Sequence, residues 1–484
     1  MKNDPLKNAE EWDVMFKKVF MSGAHLLVIQ SECYLPSLVR VVVVALICNT
    51  QRGPKYVERQ FFYNFPHSTN YFIQTTLPSL KHSLSLTLQY FFPLVGNLHC
   101  SPPPHKPFIL CTQNDALSFT VIESSADFNH LSTNHHPKRL KDFSHLVPKL
   151  TQKINLDDND TLIFSLLALQ VSVFPNHGLC IAITYCHVMD DYFCNYFMKF
   201  WSFIHKKGEL VDMKSLPCFD RQVLRDPKGL EDILLKGYFE QWKMWKNRFL
   251  IQSQTTEEEH QDYVKTTIVF TKEEIEEMKI WILNKWKADY HDIKAPKFIS
   301  KFVIICGFVW SNVVKTINRN NDDKEDEKDE YFCFVGDCRE RLGYPIPEGY
   351  FGNCLTLCVA TVKRKDIKGE YGFLNAAKAI QNAITEMKND PLKNAEEWDV
   401  MFKKVFMSGA HLLVSGSPKF NVYETNFGFG NPIKVEMMMH SSKDMSLAES
   451  RDKKGGLEVG LAFKTKELQD LYFFIEQGLE ALKF

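Results

Sequence analysis

The amino-acid sequence predicts a mixed α/β (α+β) protein built from two similar-sized domains. The chain has 484 residues, more than a single hydrophobic core usually organises. Strand-like and helix-like apolar patterns mix without a regular βαβ rhythm, which favours mixed sheets over a doubly wound parallel sheet. A polar stretch bracketed by Pro217 and Pro227 indicates a crossover between the two halves.

The composition is that of an ordinary globular protein. Lys and Arg number 58 against 59 Asp and Glu, a net charge of −1, so charge gives no reason to expect nucleic acid or an anionic membrane as partner. The longest early apolar run, Val41–Cys48, is far shorter than the roughly 20 residues of a membrane span, and its valines favour a buried strand. The 13 cysteines include no CxxC pair, so we expect reduced thiols, no zinc site and a cytoplasmic protein.

A perfect internal repeat complicates the N-terminus. Residues 1–28 and 387–414 are identical letter for letter. Structural repeats recur several times and drift in sequence, whereas this one occurs twice without drift. The second copy continues into strand and loop patterns and the first does not, so we expect 1–28 to be an extra segment without its own place in the fold. The alternative is a functional amphipathic N-terminal helix.

Residues 29–50, which follow the extra segment, form a doubtful junction with the rest of the chain. The predicted organisation is an extra segment (1–28), an N-terminal domain (29–215), a crossover (216–258) and a C-terminal domain (259–484).

Local patterns predict several elements between these boundaries. Thr271 and Glu274 form a capping-box pattern that starts a helix. The run Ser83–Phe92 is compatible with helix or strand, and the charged run Arg319–Glu330 is typical of a solvated loop. We expect strands at Ala116–Glu123, Leu162–Val173, Gly178–Tyr185 and Leu457–Phe463. We also expect one helix that starts at Phe193 and another that covers Leu468–Leu482.

The first candidate functional group is His187, in the pattern His187-x-x-x-Asp191. It ends an apolar strand and precedes an aromatic-rich helix, a place where a side chain can be held at the mouth of a cleft. Imidazole can take a proton from a hydroxyl near neutral pH. Asp191 is better placed to orient the turn and the ring than to act on the same substrate. From these residues alone, a catalytic base and a satisfied core histidine are equally compatible with the pattern.

The same spacing occurs at His440-x-x-x-Asp444, where the following serines indicate a surface turn. No GxSxG elbow, phosphate-binding P-loop or strand–GxGxxG–helix pattern is present, which disfavours hydrolase, nucleotide and dinucleotide sites. The run Asn426–Gly430 alternates aromatic residues with glycines, which predicts a tight loop with unusual backbone angles.

In combination these motifs resemble the plant BAHD acyltransferases, a coenzyme A-dependent family with HxxxD and DFGWG motifs. Here the two motifs are His187–Asp191 and Asn426–Gly430, in the family's order. The resemblance covers residues 51–484 and extends to five further segments, the third of which is the YFGNC signature of the clade acting on anthocyanins and other phenolic glucosides: Phe92–Leu98, Asp337–Leu342, Tyr350–Cys354, Ser446–Asp452 and Gly455–Leu461.

The resemblance implies a chloramphenicol acetyltransferase-like fold with an active-site channel at the domain interface. It implies that His187 is the catalytic base and that Asn426 also contributes to catalysis. Structural support for the site would come from Asp191, Arg339, Gly428, Phe429 and Gly430.

The implied partners are small molecules. Acyl-coenzyme A, malonyl-coenzyme A above all, would be the co-substrate, and a phenolic or flavonoid glucoside the acceptor. The clade signature favours malonyl, whereas the aromatic residues after Asp191 favour a hydroxycinnamoyl donor. No metal or permanently bound cofactor is implied, and a monomer is expected.

Three positions depart from the family pattern. Asn426 replaces an aspartate, which would remove the counter-charge of an arginine partner; Phe429 replaces tryptophan; and Tyr192 replaces glycine after Asp191. They leave open a second interpretation, a catalytically weakened or inactive relic that binds small molecules or partners. A third is a thioester hydrolase that uses water as acceptor.

Overall fold

The computed structural model describes residues 25–28, 33–35, 56–112, 115–134, 136–156, 160–189, 192–208, 216–252, 262–288, 296, 298–319, 326–439 and 441–483. The predicted strand Val41–Cys48 and the predicted surface-turn residue His440 lie outside these residues.

Eighteen strands are described and are numbered here in chain order. They are β1 (His25–Val28), β2 (Cys33–Leu35), β3 (Tyr56–Asn64), β4 (Asn97–Cys100), β5 (Phe108–Cys111), β6 (Ala116–Glu123), β7 (Lys138–Arg139), β8 (Gln152–Asn155), β9 (Thr161–Ser165), β10 (Leu167–Phe174), β11 (Gly178–Cys186), β12 (Tyr263–Phe270), β13 (Asp329–Asp337), β14 (Leu355–Lys363), β15 (His411–Ser415), β16 (Lys434–Met437), β17 (Asp444–Glu449) and β18 (Leu457–Lys464).

Eleven helices accompany these strands in the described part of the chain, besides short helical turns. They are α1 (Leu77–Tyr90), α2 (Phe128–Ser132), α3 (Lys141–Ser144), α4 (Phe193–Lys207), α5 (Leu230–Gln252), α6 (Lys272–Ala288), α7 (Lys301–Ile317), α8 (Arg364–Lys368), α9 (Gly372–Asn389), α10 (Trp398–Ser408) and α11 (Leu468–Glu480).

Three sheets organise the strands around two large hydrophobic cores. One core belongs to the second half, and the other is formed mainly by the first half with a few second-half residues such as Phe351 and Phe427. The first half contains a six-stranded sheet of order β1-β6-β10-β11-β3-β16 and a five-stranded sheet of order β2-β5-β4-β9-β8. The second half contains a seven-stranded sheet of order β14-β13-β15-β17-β18-β12-β7. Parallel and antiparallel pairs mix in the two larger sheets, so the fold is mixed α/β with two domains.

The two halves exchange strands. β16, from the second half, pairs antiparallel with β3 in the first sheet. β7, from the first half, pairs antiparallel with β12 in the sheet of the second half. The exchange joins the backbones of the two halves by sheet hydrogen bonds. The exact domain boundaries 29–215, 216–258 and 259–484 stay a prediction.

Local sequence signals account for many element limits. The capping box is formed as expected: the Thr271 amide donates to Glu274 Oε2 (2.7 Å) and the Glu274 amide donates to Thr271 Oγ1 (3.2 Å), at the start of α6. The ambiguous run Ser83–Phe92 belongs largely to helix α1 because Leu80, Leu84 and Leu88 repeat every four residues and are fully buried.

Two expectations need correction. The single strand predicted at Leu162–Val173 is two strands, β9 and β10, separated at Leu166. The expectation that residues 1–28 have no place in the fold is wrong for residues 25–28. These residues form β1, which pairs antiparallel with β6, His25 opposite Phe119 and Val28 opposite Ala116. A four-residue strand needs only a free sheet edge, which β6 provides.

The sequence HLLV of β1 recurs in the second copy of the repeat, where it forms most of β15. This strand pairs in parallel with β13 and also pairs with β17.

Among the described helices, none combines the length and apolar character that a bilayer crossing requires.

Candidate active site

His187 follows β11, a strand buried along its whole length between β10 and β3. The strand ends in hydrogen bonds that fix its last residues: the Cys186 amide donates to the Leu166 carbonyl (2.8 Å), and the Met189 amide donates to the Cys186 carbonyl (3.2 Å). The His187 side chain is only partly buried. A buried strand therefore ends directly before His187, as the sequence predicts, and the role of the partly buried histidine stays a prediction.

The second half of the chain holds this turn in place. The side-chain amide of Asn353, in the segment Tyr350–Cys354, donates a 2.8 Å hydrogen bond to the His187 carbonyl. Asn353 is 7% exposed and His187 is partly buried, so the bond is partly shielded from water. His187 thus lies where the two halves meet.

Arg221, from the predicted crossover, adds a second support. Its Nη2 donates to the Met189 carbonyl (3.1 Å), and its Nη1 donates to the Phe351 carbonyl and to the Tyr350 hydroxyl. The guanidinium also lies 5.5 Å from the centroid of the Tyr350 ring. One side chain therefore ties the crossover to the residues on both sides of the domain interface.

Gly352 is required by this arrangement for steric reasons. A Cβ atom at position 352 would lie 1.6 Å from Nη1 of Arg221 and 2.5 Å from the Tyr350 hydroxyl. Arg339, predicted as support, contacts the same segment. Its Nη2 donates to the Gly352 carbonyl (2.7 Å), and its Nη1 pairs with Asp337 (3.1 Å).

The residues after His187 are described in part. Asp191 lies outside the described residues, so its supporting role stays a prediction. Tyr192, which replaces the family glycine, is 38% exposed and makes an edge contact with Phe420 at a centroid distance of 5.0 Å. The added bulk is accommodated against a segment of the second half. Helix α4 then runs to Lys207 and ends at Gly208, whose left-handed φ of 78° suits glycine.

A thiol next to His187 is not a candidate nucleophile. Cys186 is fully buried, and burial raises its pKa to about 12. The thiolate is the reactive form, so this cysteine stays protonated and unreactive near neutral pH. Within the described residues, no three His, Cys, Asp or Glu side chains come together as metal ligands.

The loop Asn426–Gly430 has the unusual backbone predicted from its glycines. Gly428 and Gly430 adopt φ values of 100° and 98°, a region that L-residues rarely occupy. Asn426 stabilises the turn: its Oδ1 accepts from the Gly428 amide (2.7 Å) and its Nδ2 donates to Asn431 Oδ1 (3.1 Å). Both bonds are local and neither involves an arginine. The predicted catalytic contribution of Asn426 stays a prediction.

The two phenylalanines of this loop pack on the first half of the chain. Phe427 is buried with its centroid 4.7 Å from the Trp201 ring, and Phe429 lies 5.1 Å from Tyr63, both in edge contacts. His205, which contacts both rings, has its pKa lowered to about 4 by burial and is neutral near pH 7. Phe429 thus has a packing role that needs no indole N–H.

Two supporting residues are absent from the sequence prediction. Asn353 belongs to the signature segment Tyr350–Cys354, and its amide between glycine and cysteine is the only sequence signal for it. Arg221 lies in a stretch that gave no signal beyond being polar.

Comparison with known proteins agrees with this geometry. The family model described as Transferase family matches residues 52–477. The malonyl-coenzyme A:anthocyanin 3-O-glucoside-6''-O-malonyltransferase of Dahlia pinnata is 34% identical over 88% of this chain and 90% of its own length. A coumaroyl-CoA:anthocyanidin 3-O-glucoside-6''-O-coumaroyltransferase of Arabidopsis thaliana is 32% identical over 87% and 89%.

Solved structures share the fold at low sequence identity. Vinorine synthase matches with a TM-score of 0.62 at 16% identity, covering 93% of this chain and 95% of the other. TRI101 of F. sporotrichioides, complexed with coenzyme A and T-2, matches with a TM-score of 0.60 at 14% identity, covering 92% and 97%. With the family model spanning most of its length, the chain belongs to the Transferase family, the BAHD acyltransferases.

Proposed function

We propose that this enzyme transfers a malonyl group from its coenzyme A thioester to a sugar hydroxyl of a phenolic or flavonoid glucoside. The observation that carries the proposal is the position of His187, at the end of a buried strand and fixed by Asn353 from the other half of the chain. The names of the Dahlia and Arabidopsis relatives describe acyl transfer to anthocyanin glucosides, which supports this substrate class.

The reaction needs one base and no covalent enzyme intermediate. A His187 ring nitrogen takes the proton from the sugar hydroxyl while the oxygen attacks the thioester carbonyl. The tetrahedral oxyanion collapses, the carbon–sulfur bond breaks, and the imidazolium returns its proton to the departing sulfur. General base assistance of this kind contributes about 10²–10⁴-fold. The protonated Cys186 offers no competing nucleophile.

The identity of the acyl donor is less well determined than that of the acceptor class. The relatives named above include both a malonyl and a coumaroyl transferase. We place malonyl-coenzyme A first and a hydroxycinnamoyl-coenzyme A second. Acyl-coenzyme A enters as a co-substrate and leaves as the free thiol, so no resident cofactor is part of the mechanism.

We further infer a monomer located in the cytoplasm. Ten described cysteines are free thiols and nine of them are buried, as expected in a reducing compartment. Light scattering after size-exclusion chromatography tests the oligomeric state, and a fluorescent fusion tests the location.

The decisive experiment is a thiol-release assay with purified protein, malonyl- or coumaroyl-coenzyme A and a flavonoid glucoside. We expect release that depends on the glucoside and is abolished in His187→Ala. The matched control is His177→Ala, because His177 is exposed in the turn before β11. Equal rates in wild type and His187→Ala contradict the role of the imidazole. Release that is unchanged without acceptor indicates a thioester hydrolase, and no release with any donor indicates the relic.

A further inference from the structure

Arg59 is a buried guanidinium whose surroundings leave it incompletely paired. It lies on the central strand β3, opposite Ile183 of β11 and Met437 of β16, and is 5% exposed. Its Nη1 atom is buried and has no hydrogen-bond partner among the described residues. A buried permanent charge with a free donor is costly, so a group that fills this place is expected.

Glu449, the last residue of β17, is also incompletely paired, but through an acceptor atom instead of a donor. Its Oε1 accepts from the Tyr423 amide (3.1 Å), while its buried Oε2 has no hydrogen-bond partner in the described part of the protein. Burial raises the pKa of this carboxyl, and the positive charges of Lys199 and Arg59 oppose that rise. Arg59 and Glu449 therefore feel each other's charge without Nη1 and Oε2 bonding to one another.

Two uncharged side chains extend the set. Asn195 is 3% exposed, and neither its Oδ1 nor its Nδ2 has a hydrogen-bond partner within the described ranges. Thr425 is 1% exposed, and its Oγ1 is likewise without one. Three buried side chains and the partly buried Glu449 thus retain free hydrogen-bonding capacity; they come from two strands, one helix and the loop that holds Thr425. We call Arg59, Asn195, Thr425 and Glu449 the polar cluster.

Three further contacts bring these residues to one region. Lys199 is one helical turn after Asn195, and its Nζ bonds Glu424, the neighbour of Thr425, at 3.2 Å. The charge of Lys199 also acts on Glu449. The Thr425 carbonyl accepts from the Tyr63 hydroxyl (2.9 Å), and Tyr63 lies on the same face of β3 as Arg59.

The chemistry of the polar cluster favours a polyol over an anion. Arginine only donates, a carboxylate only accepts, and the amide and hydroxyl do both. Sugar hydroxyls, each a donor and an acceptor, satisfy such a mixture. A ligand carboxylate would be attracted by Arg59 but repelled by Glu449, and an aromatic ring would leave all four groups unsatisfied.

The location suits an acceptor whose reacting hydroxyl must reach His187. Ile183, the partner of Arg59, is four residues before His187 along β11, which is about 13 Å of extended strand. Asn195 is eight residues beyond His187, near the start of α4. A glycoside held by the polar cluster therefore lies beside the strand and the helix that flank the catalytic turn.

We propose that the polar cluster is the binding subsite for the sugar ring of the acceptor glucoside. The proposal rests on the proposed acyl transfer and names the residues that select a glycosylated acceptor. A site built to hydrogen-bond hydroxyl groups discriminates strongly against ligands that lack them, because its buried polar groups are then left unpaired.

Binding measured without a donor tests the subsite independently of activity. Equilibrium dialysis compares a flavonoid glucoside with its aglycone on wild type, Glu449→Gln, Arg59→Gln and Asn195→Leu. We expect wild type to prefer the glucoside, and each variant to lose about tenfold or more of that preference, with aglycone binding unchanged. Glu386→Gln is the control, since Glu386 is an exposed helix residue. If Arg59→Gln does not fold, the same comparison is made with Glu449→Gln and Asn195→Leu.

Steady-state kinetics distinguish a subsite for the sugar of the acceptor from a subsite for the acyl group of the donor. With an active enzyme, the variants should raise KM for the glucoside about tenfold while KM for malonyl-coenzyme A stays within twofold. A preference for the glucoside that survives in all folded variants overturns the proposal. So does a rise confined to KM for malonyl-coenzyme A, which would assign the cluster to the donor carboxylate. Wild type that binds the glucoside but transfers nothing contradicts the proposed function and leaves the subsite standing.

Discussion

The side-chain amide of Asn353 donates a 2.8 Å hydrogen bond to the main-chain carbonyl of His187, across 166 residues of sequence. The bond joins the signature segment of the second half to the turn of the first half that carries the proposed catalytic base. Because the bond is made to the main chain, it fixes the backbone from which the imidazole projects. It does not contact a ring nitrogen. Catalysis depends on such positioning because small displacements of a base are costly in rate.

Asn353→Ala should therefore lower kcat by about 10- to 100-fold while changing KM for acyl-coenzyme A little. Loss of this partly buried hydrogen bond should also reduce the free energy of unfolding by about 1–3 kcal/mol. The control is Asn318→Ala. Asn318 is 3% exposed and donates to the Val314 carbonyl (2.9 Å) at the end of α7, so its loss should cost stability and leave kcat unchanged. Equal effects of the two variants on kcat would contradict a positioning role.

Gly352→Ala tests the contact between Arg221 and the signature segment. A methyl group at 352 meets Nη1 of Arg221 at 1.6 Å, so the guanidinium must leave its position between Met189 and Phe351. We expect a loss of about 1–3 kcal/mol in the free energy of unfolding and a marked drop in kcat.

Gly237→Ala is the matched control for this variant. Position 237 lies inside helix α5, where an added Cβ would have its nearest contact at 3.5 Å. Alanine should stabilise the helix there by up to about 1 kcal/mol and leave kcat unchanged. Thermal unfolding and thiol release measure both quantities. Full activity of Gly352→Ala would show that Arg221 does not support the turn.

Local features of the site were predictable from the sequence because they are set by neighbouring residues. The capping box at Thr271 and the positive φ of Gly428 and Gly430 depend on a few residues each. The strand before His187 follows from an unbroken apolar run, and both of its neighbouring strands bury it.

Features formed between distant segments were not predictable in the same way. The bond of Asn353 to His187 and the bonds of Arg221 exist only once the two halves dock. The exchange of β7 and β16 depends on which sheet edge each strand reaches, and a four-residue or shorter strand carries no pattern that specifies its partner. The expected arginine partner of Asn426 came from the family motif, whereas the described bonds of Asn426 are to Gly428 and Asn431.

Asn426→Asp, which restores the family residue, should change activity only slightly. The carboxylate keeps the bond from the Gly428 amide and loses the donor to Asn431, which can rotate to present its own amide. We expect kcat/KM within tenfold of wild type and a change in unfolding free energy within about 1 kcal/mol. The double variant with Phe429→Trp controls for packing of the loop. A rise of more than 100-fold in kcat/KM would instead identify Asn426 as the cause of a weakened enzyme.

The strand exchange buries a cluster of charges whose ionisation should govern acid stability. Glu436 is 3% exposed, forms an ion pair with Lys265, and lies 3.5 Å from Lys434, which also pairs with Glu458 at 3.2 Å. The two lysines outweigh burial and lower the pKa of Glu436 to about 2, from 4.5 in the unfolded chain. The unfolded state therefore binds a proton more readily, and this contribution to stability is complete above about pH 4.5 and is lost as the pH falls towards 2.

Glu436→Gln should remove that dependence. The substitution leaves Lys265 buried without its carboxylate partner, so the free energy of unfolding at pH 7 should fall by about 3–5 kcal/mol. The denaturant midpoint should also decline less steeply between pH 5 and 3 than in wild type. Glu386→Gln is the control, because its ion pair with Lys393 is exposed and should contribute almost nothing. A variant with the wild-type acid profile would mean that other carboxylates set the pH dependence, and that the cluster where β16 crosses into the first sheet is not the acid-sensitive point of the fold.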